Sequence, residues 1–167
     1  MKFLKIKPFQ ETLDRGWCGP AVLKMILEFY GIRKSEKELV RLAGTTFKAG
    51  TNANQMQRVL RRFGLKTKLK DNSNFSHIRK YLNKNIPVIV DWFTHGRRDY
   101  PDSQVADGHY SIVFGLDKKY IYLQDPEIGK LRKIKRGDFL KVWFDYSGAF
   151  LRSKKQFYIR RLIVVYK

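Results

Sequence analysis

The sequence contains one cysteine, Cys18, and it lies where a helix is predicted to begin. Pro20 suits the first helical turn, because its fixed φ matches the helix and its missing N–H leaves no hydrogen bond unmade. The mostly apolar run that follows stops at Gly31, a residue typical of helix C-termini. A thiol at a helix N-terminus lies where the backbone favours its ionised, nucleophilic form. The pattern predicts a buried helix that presents Cys18 as a nucleophile; a small buried apolar residue is the alternative.

Of the three histidines, His109 is the best placed for catalysis. His77 lies in a predicted short helix, and His95 lies in a polar stretch typical of a loop. His109 begins a run of β-branched and aromatic residues that predicts a strand. A second predicted strand follows after a turn and ends at Asp125. An imidazole and a carboxylate therefore stand at the two open ends of a predicted hairpin.

The register of this hairpin decides whether the two side chains can meet. A loop with an odd number of residues centred on Asp117 would place His109 directly opposite Asp125, on the same face of the sheet. Their Cβ atoms would then be about 4.5–5.5 Å apart. A two-residue turn would put the two side chains on opposite faces. The catalytic interpretation therefore predicts an odd loop, and an ordinary strand-end pair is the alternative.

Hydrolysis of an amide bond by a cysteine nucleophile needs each of these residue types. A thiol is mostly protonated at neutral pH, so an imidazole must take its proton, and that imidazole later protonates the leaving amine. An acid behind the imidazole fixes its tautomer and stabilises its charged form. The oxyanion of the tetrahedral intermediate needs donors, of which the backbone N–H of Cys18 is one. Gln10, eight residues upstream, is the candidate for the second, although alone it would be a surface glutamine.

An ordered set of motifs resembles the double-glycine-leader peptidases, cysteine peptidase family thirty-nine of the papain-like group. The set is Gln10, Cys18-Gly19-Pro20-Ala21, Gly108-His109-Tyr110 and Asp125-Pro126. These peptidases are known as the cytosolic leader-removing domains of bacteriocin exporters and as stand-alone relatives. The resemblance covers nearly the whole chain. It implies that Cys18 is the nucleophile, His109 the general base and acid, Asp125 the orienting acid and Gln10 the oxyanion donor.

Other features of the sequence set expectations for the rest of the molecule. There is no apolar run long enough for a transmembrane segment and no phosphate-binding Gly-rich loop ending in Lys-Ser or Lys-Thr, so a stand-alone domain is expected. The expectation of a stand-alone domain does not imply that the chain cleaves after a double glycine. One cysteine and no export signal favour the cytoplasm. One cysteine and three dispersed histidines offer no four-ligand spacing, so no metal or other cofactor is predicted.

Length and composition predict one domain over residues 1–167. With 43% hydrophobic residues, a chain of this size can bury close to about 70% of its unfolded surface. Predicted helices precede a group of predicted strands, which indicates an α+β fold. Together with the resemblance, this predicts a papain-like cysteine peptidase fold in which N-terminal helices pack on a C-terminal antiparallel sheet, with the active site between the Cys18 helix and the sheet.

Local signals predict where the elements begin and end. Ser35 with Glu38 predicts a capped helix that ends near Ala43, and Thr51-Asn52 predicts the start of the next helix. An edge strand is expected at residues 1–7, further strands at 65–69, 87–93, 131–135 and 157–166, and a short helix at 138–144.

The net charge of +20 exceeds the magnitude of about 2–8 that solubility requires. Basic residues concentrate at 58–70 and 130–136, and the second run alternates with apolar residues, which predicts a row of cations along one sheet face. Such a face would attract nucleic acid, an anionic membrane surface or an acidic peptide or protein substrate. No nucleic-acid-binding motif accompanies the charge, and a generally basic proteome is the alternative explanation.

Three functions of different class follow. The favoured one is a papain-like cysteine peptidase that hydrolyses peptide bonds and trims a leader or a tail. A Cys-His-Asp acyl transferase is the second, and it would be distinguished by its acceptance of amines. The third is a non-catalytic basic module that binds nucleic acid or an anionic membrane, and such a module would have no need of all three catalytic side chains.

Overall fold

Five α-helices and eight strands form the part of the chain that the computed structural model describes, residues 3–94, 108–147 and 153–167. The helices are α1 (Cys18–Phe29), α2 (Glu36–Ala43), α3 (Ala53–Arg62), α4 (Phe75–Asn83) and α5 (Arg136–Val142). The strands are β1 (Lys66–Lys70), β2 (Val88–Phe93), β3 (Gly108–Leu116), β4 (Tyr120–Asp125), β5 (Lys130–Lys135), β6 (Phe144–Tyr146), β7 (Phe157–Ile159) and β8 (Leu162–Tyr166). His95 lies outside the described residues. Within those ranges, no helix has the length and apolar character needed to cross a bilayer.

The main sheet has six antiparallel strands in the order β1-β8-β2-β3-β4-β5. Strands β6 and β7 form a separate two-stranded sheet. Helix α1 packs against β3 and against helices α2 and α3, while α4 contacts β2 and β3. The predicted α+β architecture, with N-terminal helices on an antiparallel sheet, is confirmed.

The start of α1 is packed closely against the loop that precedes α3. A Cβ atom placed on Gly19 would lie 2.6 Å from the Cβ of Thr51, so only glycine fits at this position. The Thr51 hydroxyl is itself held by the Thr45 hydroxyl at 2.7 Å. Because most residues of α1 after Cys18 are buried, the N-terminal end of this helix is a firmly supported position for a side chain.

The helix starts follow the predicted caps. The Ser35 hydroxyl accepts from the backbone N–H of Glu38 at 3.2 Å at the start of α2. Asn52 and Gln55 form a reciprocal capping box at the start of α3. His77 has a structural role of the same kind, because its Nδ1 accepts from the backbone N–H of Asn74 at 3.2 Å at the start of α4.

The turn between β3 and β4 is tighter than the predicted odd loop. The Asp117 N–H donates to the Tyr120 carbonyl at 3.1 Å, which leaves only Lys118 and Lys119 between them. Asp117 Oδ1 also accepts from the N–H groups of Lys119 and Tyr120 at 2.7 and 2.6 Å. The odd-loop prediction is wrong, because this aspartate stabilises a two-residue turn.

A β-bulge in β3 places His109 and Asp125 on the same face of the sheet, whereas the two-residue turn alone would place them on opposite faces. The register shifts between Val113 and Gly115, so Phe114 is one extra residue in β3. Beyond the bulge Val113 pairs with Leu123, two positions from its predicted partner. In this register His109 and Asp125 share one face as diagonal rather than directly opposed neighbours. The dyad geometry survives although both the loop and the register were predicted wrongly.

Two predicted strands differ from the observed elements. From residue 3, where the described part of the chain begins, the N-terminal segment forms only an isolated bridge between Phe3 and Gly115, with Leu4 and Ile6 buried, rather than an edge strand. The predicted strand at 157–166 is divided into β7 and β8 because Arg160 adopts a left-handed conformation with φ +49°. This break separates the two strands into different sheets.

Candidate active site

Three of the predicted site residues meet where α1, β3 and β4 come together. His109, near the start of β3, and Asp125, the last residue of β4, are buried with Nε2 and Oδ1 2.8 Å apart. Cys18, the first residue of α1, is hydrogen-bonded to His109 and remains partly exposed. The arrangement places an imidazole between a thiol and a carboxylate.

Electrostatics make the imidazole a strong proton acceptor. Burial alone would lower the pKa of His109, but the adjacent Asp125 carboxylate and the hydrogen bond to it raise that pKa well above 6.5. In the opposite sense, burial would raise the pKa of Asp125, and the imidazole holds it below its ordinary value. The two residues therefore stabilise each other's charged forms.

The thiol itself departs from the sequence expectation. Burial raises the pKa of Cys18 above its ordinary value, and the hydrogen bond to His109 opposes that rise. The helix N-terminus by itself favours a lowered pKa, so burial and this backbone effect act on the pKa of the thiol in opposite directions. Because burial opposes ionisation of this partly buried thiol, its ionisation depends chiefly on the basicity of His109.

The N-terminus of α1 offers backbone donors next to the thiol. Trp17 occupies the N-cap position and makes no side-chain capping hydrogen bond. The first N–H groups of a helix have no partner within the helix and favour negative charge. The Cys18 N–H is therefore available for charge that develops on a carbonyl attacked by the thiol.

Gln10 lies beside the turn that follows β4. Its side-chain amide donates to the Glu127 carbonyl at 3.0 Å, and the residue is exposed. Its Cβ would lie 2.6 Å from a Cβ atom placed on Gly129, so the segment packs closely on this turn. The structure thus brings Cys18, His109 and Asp125 together and engages the Gln10 amide elsewhere; its oxyanion role stays a prediction.

Arg132 is a site residue that the sequence reasoning missed. It was counted in the row of surface cations, but its side chain is buried and its Nε contacts Asp125 Oδ2 at 2.5 Å. The signal lay in the strand pairing, because Asp125 pairs with Lys130 and Arg132 is the diagonal neighbour on the same face. Lys133 and Lys135 are exposed, so only part of the run is a row of surface cations.

Trp92 helps to fix the orientation of the His109 ring. The two residues pair across β2 and β3, and their ring centroids are 5.8 Å apart with an edge-to-face angle of 72°. The Trp92 ring is fully buried and its Nε1 donates to the Ser111 hydroxyl at 3.0 Å. A rotation of the imidazole away from Asp125 would meet this anchored ring.

Glu11 and Glu127 bring two further carboxylates to the site. Glu11, His109 and Glu127 each offer one ligand atom, and these atoms lie within 4.8 Å of one another, the only such group among the described residues. The spacing would admit a cation. Because His109 already binds Cys18 and Asp125, we treat the group as part of the candidate active site rather than as a metal centre.

A thiol at a helix N-terminus, an imidazole on the facing strand and a carboxylate behind it define a papain-like cysteine peptidase domain. Comparison with known proteins agrees. Residues 3–150 match the Peptidase_C39 like family, and the chain belongs to this family of cysteine peptidases.

Relatives of the chain include parts of much longer proteins. It is 32% identical over 152 residues to the lactococcin-A transport/processing ATP-binding protein LcnC of Lactococcus lactis; that match covers 88% of this chain and 19% of LcnC. The chain thus spans about a fifth of that relative. An uncharacterized protein of Methanothermobacter thermautotrophicus is 30% identical over 130 residues, which is 75% of each chain.

Solved structures share the fold over almost the whole chain. The peptidase domain of Streptococcus ComA, an ABC transporter, has a TM-score of 0.66 at 23% identity, covering 99% of this chain and 97% of that one. A double glycine motif protease from an AMS/PCAT transporter, in complex with its leader peptide, has a TM-score of 0.67 at 19% identity, covering 99% and 95%. The papain-like peptidase fold predicted from the sequence is confirmed.

Proposed function

We propose that this chain, acting as one domain over residues 1–167, hydrolyses peptide bonds with Cys18 as nucleophile, His109 as general base and acid, and Asp125 as orienting acid. The observation that carries the proposal is the position of His109, which is hydrogen-bonded to Cys18 and, at 2.8 Å, to Asp125. A buried imidazole with a raised pKa beside a thiol is the arrangement that forms a thiolate–imidazolium pair.

The chemistry follows from these contacts. His109 takes the thiol proton, and the Cys18 sulfur forms a bond to the carbonyl carbon while the π electrons of the carbonyl move to its oxygen. The Cys18 N–H donates to that oxyanion. As the intermediate collapses, the C–N bond breaks and His109 gives its proton to the leaving amine. Water, deprotonated by His109, then attacks the thioester and releases the acid and the thiol.

The substrate we propose is a peptide segment at one end of a longer peptide or protein, removed as a leader or tail. LcnC is named as a transport and processing protein, and the double glycine motif protease was solved with its leader peptide. The net charge of +20 favours a substrate with acidic residues away from the scissile bond. A peptide with two glycines before the scissile bond is the first sequence to test.

The pH dependence of Cys18 alkylation tests the proposal. Wild-type protein and His109→Ala are treated with iodoacetamide between pH 5 and 9. His77→Ala is the matched control, because His77 is a histidine with a structural role at the start of α4. We expect a plateau of reactivity at or below neutral pH in the wild type and in the control, and its loss in His109→Ala. Identical profiles for the wild type and His109→Ala would overturn the proposal.

Product analysis separates hydrolysis from acyl transfer. Peptides are incubated with the protein in the presence of a primary amine, and the new carboxyl ends are examined by mass spectrometry. We expect free acids, because water attacks the thioester. Amides of the added amine as the main product would instead indicate the Cys-His-Asp acyl transferase.

A further inference from the structure

Arg132 contacts the Asp125 carboxylate through the oxygen that does not face His109. Asp125 Oδ1 lies 2.8 Å from His109 Nε2, and Asp125 Oδ2 lies 2.5 Å from Arg132 Nε. All three residues are buried, so water screens the charges of this group much less than it screens charges at the surface. The carboxylate therefore links a guanidinium to the imidazole that is hydrogen-bonded to Cys18.

The position of Arg132 differs from that of the other basic residues of β5. Lys130, Lys133 and Lys135 are exposed, whereas Arg132 is 8% exposed and lies on the face of the strand that carries Asp125 on β4. Burial of a guanidinium costs free energy unless its charge is compensated. Solubility alone would be served by another exposed lysine, so the burial of this cation beside Asp125 points to a role in the site.

We propose that Arg132 is a positioning residue of this peptidase, and that its permanent positive charge, acting across Asp125, sets the pH range in which Cys18 and His109 form the thiolate–imidazolium pair. The inference rests on the proposed function and adds to it a residue that does not touch the substrate. A cation behind the carboxylate favours the thiolate and disfavours the imidazolium. It therefore lowers both the pH at which Cys18 gives its proton to His109 and the pH at which His109 becomes neutral. The second effect makes the imidazolium a better proton donor to the leaving amine.

The anionic groups around His109 act in the opposite sense to Arg132. The titratable groups that face the imidazole are Cys18 of α1, Asp125 of β4, and Glu11 and Glu127 beside the turn after β4. Burial would raise the pKa of Asp125, but His109 and Arg132 hold it below its ordinary value, so this carboxylate stays charged. Burial raises the pKa of Glu11 to about 7. Because Glu11 is present in every variant below, its titration does not account for differences between them.

Alkylation of Cys18 by iodoacetamide between pH 4 and 10 tests the assignment without a substrate. Arg132→Gln removes the charge, and across a carboxylate, at a separation of roughly 7 Å, we expect both inflections of the alkylation rate to move to higher pH by about 1–2 units. Arg132→Lys keeps a positive charge and should restore the wild-type inflections. The matched control is Lys133→Gln, which removes one exposed cation from β5 and should move neither inflection. A role in packing alone would lower the rate but leave the inflections in place.

The outcomes distinguish this inference from the proposed function. A wild-type Cys18 whose alkylation is independent of His109 overturns both. A wild-type plateau with the same inflections in Arg132→Gln overturns only the role of Arg132. Thermal unfolding by circular dichroism establishes that each variant is folded. If Arg132→Gln is not folded, the double variant Asp125→Asn, Arg132→Gln leaves no unpaired buried charge and is compared with Asp125→Asn. We expect Cys18 to ionise at higher pH in the double variant, and equal values would overturn the inference.

Discussion

Both oxygens of the Asp125 carboxylate are committed to partners that fix its orientation. Oδ1 lies 2.8 Å from His109 Nε2 and accepts from the Glu127 N–H at 3.1 Å, while Oδ2 lies 2.5 Å from Arg132 Nε. The carboxylate therefore cannot turn without breaking bonds on both sides. A guanidinium is always charged, so Arg132 also balances the buried negative charge when His109 is neutral.

Asp125→Asn tests whether that carboxylate sets the basicity of His109. The folded-state pKa of His109 is raised by Asp125, so removal of the negative charge lowers it and fewer imidazolium cations exist at neutral pH. We expect kcat/KM to fall by about 10²–10⁴-fold and the alkylation plateau of Cys18 to disappear. Asp138→Asn, on the exposed face of α5, should leave both unchanged. A normal alkylation profile in Asp125→Asn would refute the role.

Arg132→Met tests the buried ion pair as a stability element. Removal of one partner leaves Asp125 buried without its cation, and this type of loss destabilises a protein by about 3–5 kcal/mol. Urea unfolding monitored by tryptophan fluorescence measures the change, with Lys133→Met, an exposed neighbour on β5, as the control. Equal midpoints for the two variants would show that solvent already compensates Asp125.

At the scale of elements, a pair of carboxyl groups lies where the small strand β6 packs on strand β2 of the main sheet. Asp91 of β2 is buried, and Asp145 of β6 is close enough to share a hydrogen bond with it. A Cβ atom on Gly108 would collide with the Asp145 carboxylate. The groups that face Asp91 are Asp145, Tyr110 and the guanidinium of Arg161. Two carboxyl groups in contact are more stable when they share a proton, so we expect the packing of β6 on β2 to depend on protonation.

This pair gives folding stability a predictable pH dependence. Burial, and then the charge of Asp145, raise the pKa of Asp91 well above 3.8. The folded state therefore keeps a proton that the unfolded state has lost, and the contribution declines as pH rises from about 4 toward the folded pKa, by up to about 1.4 kcal/mol per pH unit. We expect Asp91→Asn to gain stability relative to the wild type between pH 5 and 8 in urea unfolding. Parallel curves for the two proteins would contradict this, and Asp14→Asn is the exposed control.

Among the elements, the helix caps could be predicted from the sequence, but the register of β3 on β4 could not. Helix caps such as Ser35 and Asn52 are local, because donor and acceptor are within three residues, and they were predicted correctly. The register of β3 on β4 was not, because a bulge at Phe114 is a property of two paired strands and of a turn fixed by Asp117. The prediction that His109 and Asp125 share one face of the sheet was still correct, because the effect of the two-residue turn and the effect of the bulge cancel.

Across the whole molecule, positive charge is placed at the edges of the sheet and negative charge in the site. Each of the two edge strands, β1 and β5, lies within one of the two basic runs. Lysines on edge strands hinder pairing with another chain, so part of the charge has a role in keeping the chain unaggregated. The carboxylates of Glu11, Asp125 and Glu127 lie together near His109. The site is thus locally acidic within a strongly basic protein.

This charge distribution predicts that salt stabilises the fold. With 35 basic and 15 acidic side chains, repulsion between exposed cations extends over roughly 10 Å at 0.1 M salt and over longer distances at lower salt. Screening relieves that repulsion but affects the buried Arg132–Asp125 pair much less. We expect sodium chloride from 20 to 500 mM to add about 1 kcal/mol of stability, or roughly 2–4 °C in Tm.

Chloride is the appropriate salt because sulfate would also strengthen apolar burial. The matched variant Lys133→Glu, Lys135→Glu reduces the net charge by four on one edge strand, so its Tm should be higher at low salt and should respond less to added chloride. A Tm that falls with chloride in both proteins would mean that surface ion pairs outweigh the net repulsion. The basic runs would then stabilise the fold through local attraction, and a polyanionic partner would be unnecessary to offset their charge.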